Sequence, residues 1–384
     1  MLFSEITGQK KVKRRLLQTI RDQRISHAQL FLGPEGSGKL ALAIAYAQFI
    51  NCRNRPEVTD KNLDSADSCG TCPSCVKYKN LSHPDLHFIF PVATTKEVKK
   101  KPMSRNFLPQ FREAMLENEY MLTLNDWYDK IGIEKKQGII NAEDCSEILR
   151  TLSYKSYESE YKVMIIWMAE RLYHAAAPKL LKILEEPPDK TLFILVSEKQ
   201  EQIINTILSR TQIVPVPRLE KESLKNALIS KHQLDEKKAG EISALADGNY
   251  LRARKLLLDQ QDQQEMFEYF VKWMRLSYSN KIYELNEFIS GISPQGREKL
   301  KNFLNYSSRM IRNSLLLNHN IEKAVNVSGR EKDFIEKFRK QINNNNAPEI
   351  SKMLDEAQYH IDRNANPQFT FMDLSMKIKK LLKG

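Results

Sequence analysis

Apolar and polar positions along the chain follow one pattern in its first half and another in its second. A short apolar run, AQLFL (Ala28 to Leu32), leads into the glycine-rich GPEGSGK and then into LALAIAYAQFI (Leu40 to Ile50), which is apolar all round. Strand, tight loop and buried helix in that order open an α/β nucleotide-binding unit. Two further runs, YKVMIIWM (Tyr161 to Met168) and TLFILVS (Thr191 to Ser197), are nearly continuous in apolar character, as expected of parallel strands covered on both faces. Between them LLKILEE reads as a helix closed by Pro187 and Pro188.

The stretch from Val92 to Ile140 is polar, with the lysine-rich run Lys96 to Lys101, Pro102, Pro109 and NDWYDKIG; it reads as an irregular excursion carrying one helix near Phe111 to Glu119. Asn141 with Asp144 three residues on is a capping arrangement for a helix through Leu152. Pro215 and Pro217 in QIVPVPRLEKES mark a boundary, because proline ends a strand's hydrogen-bond ladder. Everything beyond reads as helix. Leu219 to about Leu258 forms a small helical unit, and Gln260 to Gly384 holds amphipathic helices, one with Leu300, Phe303, Leu304, Met310, Ile311 and Leu315 mainly along one face. The asparagine run Asn343 to Asn346 with Pro348 separates two of them.

With 384 residues the chain is long enough for two or three domains. The divisions expected are 1–216, containing a cysteine-rich insert (52–75) and the polar insertion (92–140), then 217–259 and 260–384. No apolar run nears the roughly 18 residues of a membrane span, and the opening MLFSEITGQKKVKRR has no signal-peptide core, so a cytoplasmic protein without membrane contact is expected. Sixty basic against 48 acidic residues give a formal charge of +12, which favours polyanions without marking a site.

Gly33, Gly36, Ser37, Gly38 and Lys39 fit a phosphate-binding loop: backbone N–H groups turn toward phosphate and the lysine adds a point charge. The template next requires Ser or Thr to hold Mg²⁺, and Leu40 stands there. It also requires an acid at the end of a neighbouring strand. Trp167 and Met168 occupy that place, and the nearest acid, Glu170, lies two residues past it, where it would begin the next helix.

Cys52, Cys69, Cys72 and Cys75 have the spacing of a structural metal site, with Gly70 and Pro73 permitting the tight turns. Four thiolates suit zinc and leave no open position for a substrate; an iron–sulfur cluster could use similar spacing. Cys145 reads as a small buried apolar residue.

Three blocks carry a resemblance. FSEITGQKKVKRRLLQTI with ISHAQLFLGPEGSGK, then AAAPKLLKILEEPPDKTLFILVS with ILSRT, and finally NANPQFTFMDLSMKI resemble the clamp-loader ATPases of bacterial DNA polymerase III, which leaves 92–140 as an insertion. The resemblance implies an AAA+ P-loop domain with a zinc module, a small helical lid and an all-α collar. Active members end the strand that corresponds to Tyr161 to Met168 in Asp-Glu; Trp167-Met168 resembles the degenerate site of the delta-prime type, while the cysteine cluster is shared with tau/gamma. Ser209-Arg210-Thr211 is similar to the family's Ser-Arg-Cys motif, which implies that Arg210 is an arginine finger acting on an adjacent subunit's ATP. Ser197 matches a sensor position, and Gly248 to Arg252 approximates a second sensor with the arginine one residue late. The resemblance implies a non-hydrolysing subunit of the DNA polymerase III holoenzyme that holds ATP weakly or not at all. Its implied partners are tau/gamma ATPase subunits, delta, the sliding clamp and, through the assembly, primed DNA. The competing expectation is an active tau/gamma-type ATPase using Glu170.

Overall fold

The computed structural model describes residues 1–383 apart from 134–135, 174–175, 280, 320 and 322–328. Ala175, in the central block, and Gly384 fall outside that set. The chain divides into two compact units, Met1–Leu256 and Leu257–Gly384, so the helical stretch after the boundary prolines lies within the first.

The first unit is built on one parallel sheet in the order β2-β3-β4-β1-β5, from β1 (Ala28–Leu32), β2 (Leu86–Ile89), β3 (Lys162–Trp167), β4 (Thr191–Ser197) and β5 (Gln212–Pro215). All residues of β3 and β4 are buried, matching their unbroken apolar runs. Helices in chain order are α1 (Lys10–Arg21), α2 (Lys39–Ile50), α3 (Pro73–Lys79), α4 (Leu108–Glu117), α5 (Leu124–Lys130), α6 (Ala142–Ser153), α7 (Ala177–Glu185), α8 (Asn205–Leu208), α9 (Lys221–His232) and α10 (Glu236–Ala246). Every residue of α2 is buried; the helix packs on β1, β3 and β4 with α1 and α3 beside it, hence its lack of a polar face. The Asn141–Asp144 capping box opens α6.

The polar stretch departs from its expected irregular character. It folds into the turn Ser104–Phe107, α4 and α5, and sends Phe107, Phe111, Met115, Trp127 and Ile133 into the same core as α2 and β3. Phe111 stacks on Phe90 with ring centroids 4.0 Å apart, and Trp127 meets both edge-on while its indole N–H donates to the Pro91 carbonyl at 2.8 Å. Widely spaced aromatics among charges carry little periodicity, so the pattern hid a packed module. The Lys96 to Lys101 run remains largely exposed.

In the second unit α11 (Tyr250–Ser279, which begins in the first), α12 (Ile282–Ile292), α13 (Arg297–Asn318), α14 (Gly329–Phe338), α15 (Asn346–Asp362) and α16 (Pro367–Lys383) enclose an apolar core. Leu300, Phe303, Leu304, Met310 and Ile311 are buried in it as one face of α13, with Leu315 at the edge. Trp273 donates to Ser375 at 2.7 Å inside that core. Among the described residues no helix is long and apolar enough to cross a membrane.

Candidate nucleotide site and cysteine cluster

The glycine-rich loop lies between β1 and α2, with Gly36 and Gly38 at φ of 72° and 83°, a left-handed region open to glycine. Side chains are excluded here for a second reason: a Cβ on Gly33 would lie 2.0 Å from the Val216 carbonyl oxygen, and one on Gly36 would lie 1.9 Å from Asn249 Oδ1. The helical stretch is thus pressed onto the loop, and the Tyr250 N–H donates to the Gly36 carbonyl at 3.2 Å.

Lys39 does not reach into an open cleft. It is buried, and its ammonium donates to Glu198 Oε1 at 2.9 Å and to the Pro34 carbonyl at 3.1 Å. The space around it is lined by Gly36, Gly38, Leu40, Met121, Trp167 and Leu251, among others, and has a volume of about 20 Å³. That is room for one water, against the several hundred Å³ of ordinary ligand pockets.

Where the template places Mg²⁺ ligands, Leu40, Trp167 and Met168 are all buried in the core cluster that contains Phe111. Trp167 packs on Phe111 at a centroid distance of 5.7 Å, so the tryptophan is a packing partner of the insertion. Glu170 sits in a short turn, Ala169–Arg171, where its Oε1 accepts the Glu198 N–H at 3.0 Å; it does not line the small cavity. Ser197 ends β4 fully buried, its carbonyl accepting the Gly33 N–H at 3.2 Å and its hydroxyl accepting the Lys199 N–H at 3.3 Å. Ser37 is buried too, and its hydroxyl has no partner among the described residues. Arg210 follows α8, away from these groups, and pairs with Glu185 at the end of α7 while donating to the Thr206 carbonyl at 2.9 Å. Arg252 is exposed; the arginine that reaches inward is Arg254, which donates to Asn118 Oδ1 at 2.7 Å. Glu198, Asn118, Met121 and Arg254 escaped the sequence reading, because no motif spacing links them to the loop.

The four cysteine sulfurs converge, all lying within 4.8 Å of one another. Sγ separations are 3.5 Å for Cys52–Cys69, 4.0 Å for Cys52–Cys72 and 3.9 Å for Cys69–Cys75. Tetrahedral thiolates at about 2.3 Å from zinc would stand about 3.8 Å apart, so the donor set fits. Burial opposes ionisation of Cys69, yet the amides of Cys72 and Thr71 hold its thiol down to about 6. Burial pushes the Cys75 thiol up. Cys145 is separate from the cluster, and burial pushes its thiol up to about 11. The cluster ties the end of α2 to the start of α3, where Ser74 also donates to the Asn51 carbonyl at 2.8 Å.

The sheet order, the glycine-rich loop between β1 and α2 and the closed pocket define an α/β protein with a parallel sheet whose glycine-rich loop is packed against side chains. The family described as DNA polymerase III, delta subunit matches residues 8–220, more than half of the chain, and the chain belongs to that family. The chain is 27% identical over 223 residues to the DNA polymerase III subunit delta' of Bacillus subtilis, a match covering 58% of this chain and 52% of that protein. It is 26% identical over 213 residues to the gamma/tau subunit of Mycobacterium tuberculosis, covering 56% of this chain and 28% of that one. The chain thus spans about half the length of the first relative and less of the second. The Bacillus subtilis clamp loader delta protein aligns over 96% of this chain and 99% of its own at 11% identity, with a TM-score of 0.34, too loose a superposition to add to the sequence match.

Proposed function

We propose that the chain is a delta-prime-like, non-hydrolysing subunit of the DNA polymerase III clamp loader. The observation that carries this reading is the replacement of both metal-ligand positions by buried apolar side chains, Leu40 on one side and Trp167 with Met168 on the other. Phosphoryl transfer needs a metal held against the phosphates, and these residues offer it no oxygen. On this reading residues 1–216 form an AAA+ domain, 217–259 the lid and 260–384 the collar. The chain joins tau/gamma ATPase subunits and delta in the cytoplasm, and with them opens the sliding clamp and loads it on primed DNA. Arg210 leaves Glu185 to serve as a finger at a neighbour's ATP, where a guanidinium stabilises transferred charge. Zinc on the four thiolates supplies cross-linking of the cysteine-rich insert (52–75) and no chemistry.

Two observations support this over an active ATPase. Glu170 is engaged by the Glu198 amide, and Lys39 by the Glu198 carboxylate. The test is Arg210→Ala in the reconstituted loader. ATP turnover is expected to fall at least tenfold, with assembly and zinc content unchanged. Unaltered turnover removes the finger assignment, and magnesium-dependent hydrolysis by the isolated chain overturns the reading.

A further inference from the structure

The insertion's two helices, α4 and α5, are joined by a loop that lies against the glycine-rich turn. We infer that Asn118–Leu122 is an internal ligand of the P-loop: it fills the volume a nucleotide would take and ties the start of α11 to that loop.

Tyr120, Met121 and Leu122 form one wall of the 20 Å³ space, opposite Gly36, Gly38 and Lys39. Met121 reaches furthest, its Cε lying 3.3 Å from where a Cβ on Gly38 would stand. Gly38 caps the N-terminus of α2, the end of a helix that ordinarily faces phosphate. A methionine thioether there meets the helix end with apolar bulk, and the lysine beside it is already neutralised by Glu198.

The loop is held at both ends and in the middle. Phe111 on α4 and Trp127 on α5 anchor its flanks in the core. Asn118 Nδ2 donates to the Ala114 carbonyl at 2.9 Å, the Met121 N–H to the Asn118 carbonyl at 2.9 Å and the Tyr120 hydroxyl to the Lys79 carbonyl at 2.5 Å. Glu119 and Tyr120 are both left-handed, at φ of 52° and 63°, a pairing that persists only where surrounding contacts impose it. On the far side Arg254 donates to Asn118, Leu251 closes the cavity and Tyr250 bonds Gly36. The insertion therefore bridges the P-loop to the start of α11 through its own side chains.

The test compares the full chain with Tyr120→Gly/Met121→Gly and, separately, with Asn118→Ala, which cuts the tie to Arg254 together with the bond to the Ala114 carbonyl. ATP is titrated calorimetrically, and amide hydrogen exchange is followed over 115–125 and 249–256. The wild-type chain is expected to bind no ATP at millimolar concentration, and both variants to exchange at least tenfold faster over 249–256. Two results overturn the proposal: ATP binding by the wild-type chain with faster exchange over 115–125, which would make the loop a displaceable gate, or unchanged protection of 249–256 in both variants.

Discussion

Lys39 and Glu198 form a largely buried ion pair at 2.9 Å, with side-chain exposures of 7% and 22%. The lysine that a P-loop keeps for phosphate thus spends its charge on a carboxylate of the same chain, at the end of the strand that flanks β1. A pocket built to admit nucleotide would leave that charge free; here it is a structural element of the closed site.

That pairing sets an order of costs. Glu198→Ala strands a buried ammonium, and a loss of about 2–3 kcal/mol of stability is expected, somewhat below the figure for fully buried pairs. Lys39→Met removes the charge that is hardest to hydrate and leaves a carboxylate with access to water, so about 1 kcal/mol is expected. Urea denaturation of both variants checks the order; equal or reversed costs would show that the pair does not govern the site.

An acid placed at position 167 is expected to yield no ATP turnover. Trp167 is 1% exposed and packed on Phe111, so Trp167→Asp both opens a cavity and buries a carboxylate. Loss of a buried indole, counting both its transfer free energy and the cavity left, costs about 3–5 kcal/mol. The expected outcome is a strongly lowered melting temperature with no magnesium-dependent ATP turnover. Turnover in a folded Trp167→Asp chain would show that the missing acid alone silences the site.

Much of the first unit was legible in the sequence because its signals are local. Apolar runs mark β1, β3 and β4, the Asn141–Asp144 pair marks the start of α6, and the four cysteines declare their convergence through spacing alone. The absent metal ligands could be read directly at Leu40, Trp167 and Met168. What filled their place could not. Phe111 of α4 packs on Trp167 across more than fifty residues of chain, and Trp127 of α5 packs on Phe111; such contacts leave no periodic trace. β5 was hidden by Pro215, which ends an edge strand rather than interrupting one. Glu198 follows a strand with no motif that links it to Lys39, and only the fold brings the two together.

The cysteine cluster predicts a metal-dependent stability. About one zinc per chain is expected by elemental analysis, and a strong chelator under reducing conditions should lower the melting temperature by several degrees, since metal binding is linked to folding. Cys75→Ser should remove the zinc and reproduce the loss. Cys145→Ala, outside the cluster, should keep the metal and cost only about 1 kcal/mol from lost packing. Full zinc content in the Cys75 variant would exclude the four-thiolate site.

The acid side of the stability profile is set in part by His87 on β2, whose imidazole burial, reinforced by the Lys162 charge nearby, holds down to about 4 from an ordinary value of 6.5. Between those values the unfolded chain binds a proton that the folded chain refuses, so stability is fully present above pH 6.5 and is lost as pH falls toward 4. At about 1.4 kcal/mol per pH unit the loss from this group approaches about 3 kcal/mol. Asp144 works the other way: burial raises its carboxyl from 3.8 to about 6, and over that window its contribution falls as pH rises. The two partly cancel in the whole protein, and His83, also held down by burial, adds to the acid lability. The difference between wild type and His87→Gln isolates the one group. That difference in unfolding free energy, measured by urea titration at intervals from pH 7 to pH 4, should shift by about 3 kcal/mol in favour of the variant on acidification. A difference that stays flat across the interval would mean that the imidazole gains its proton without leaving the folded state.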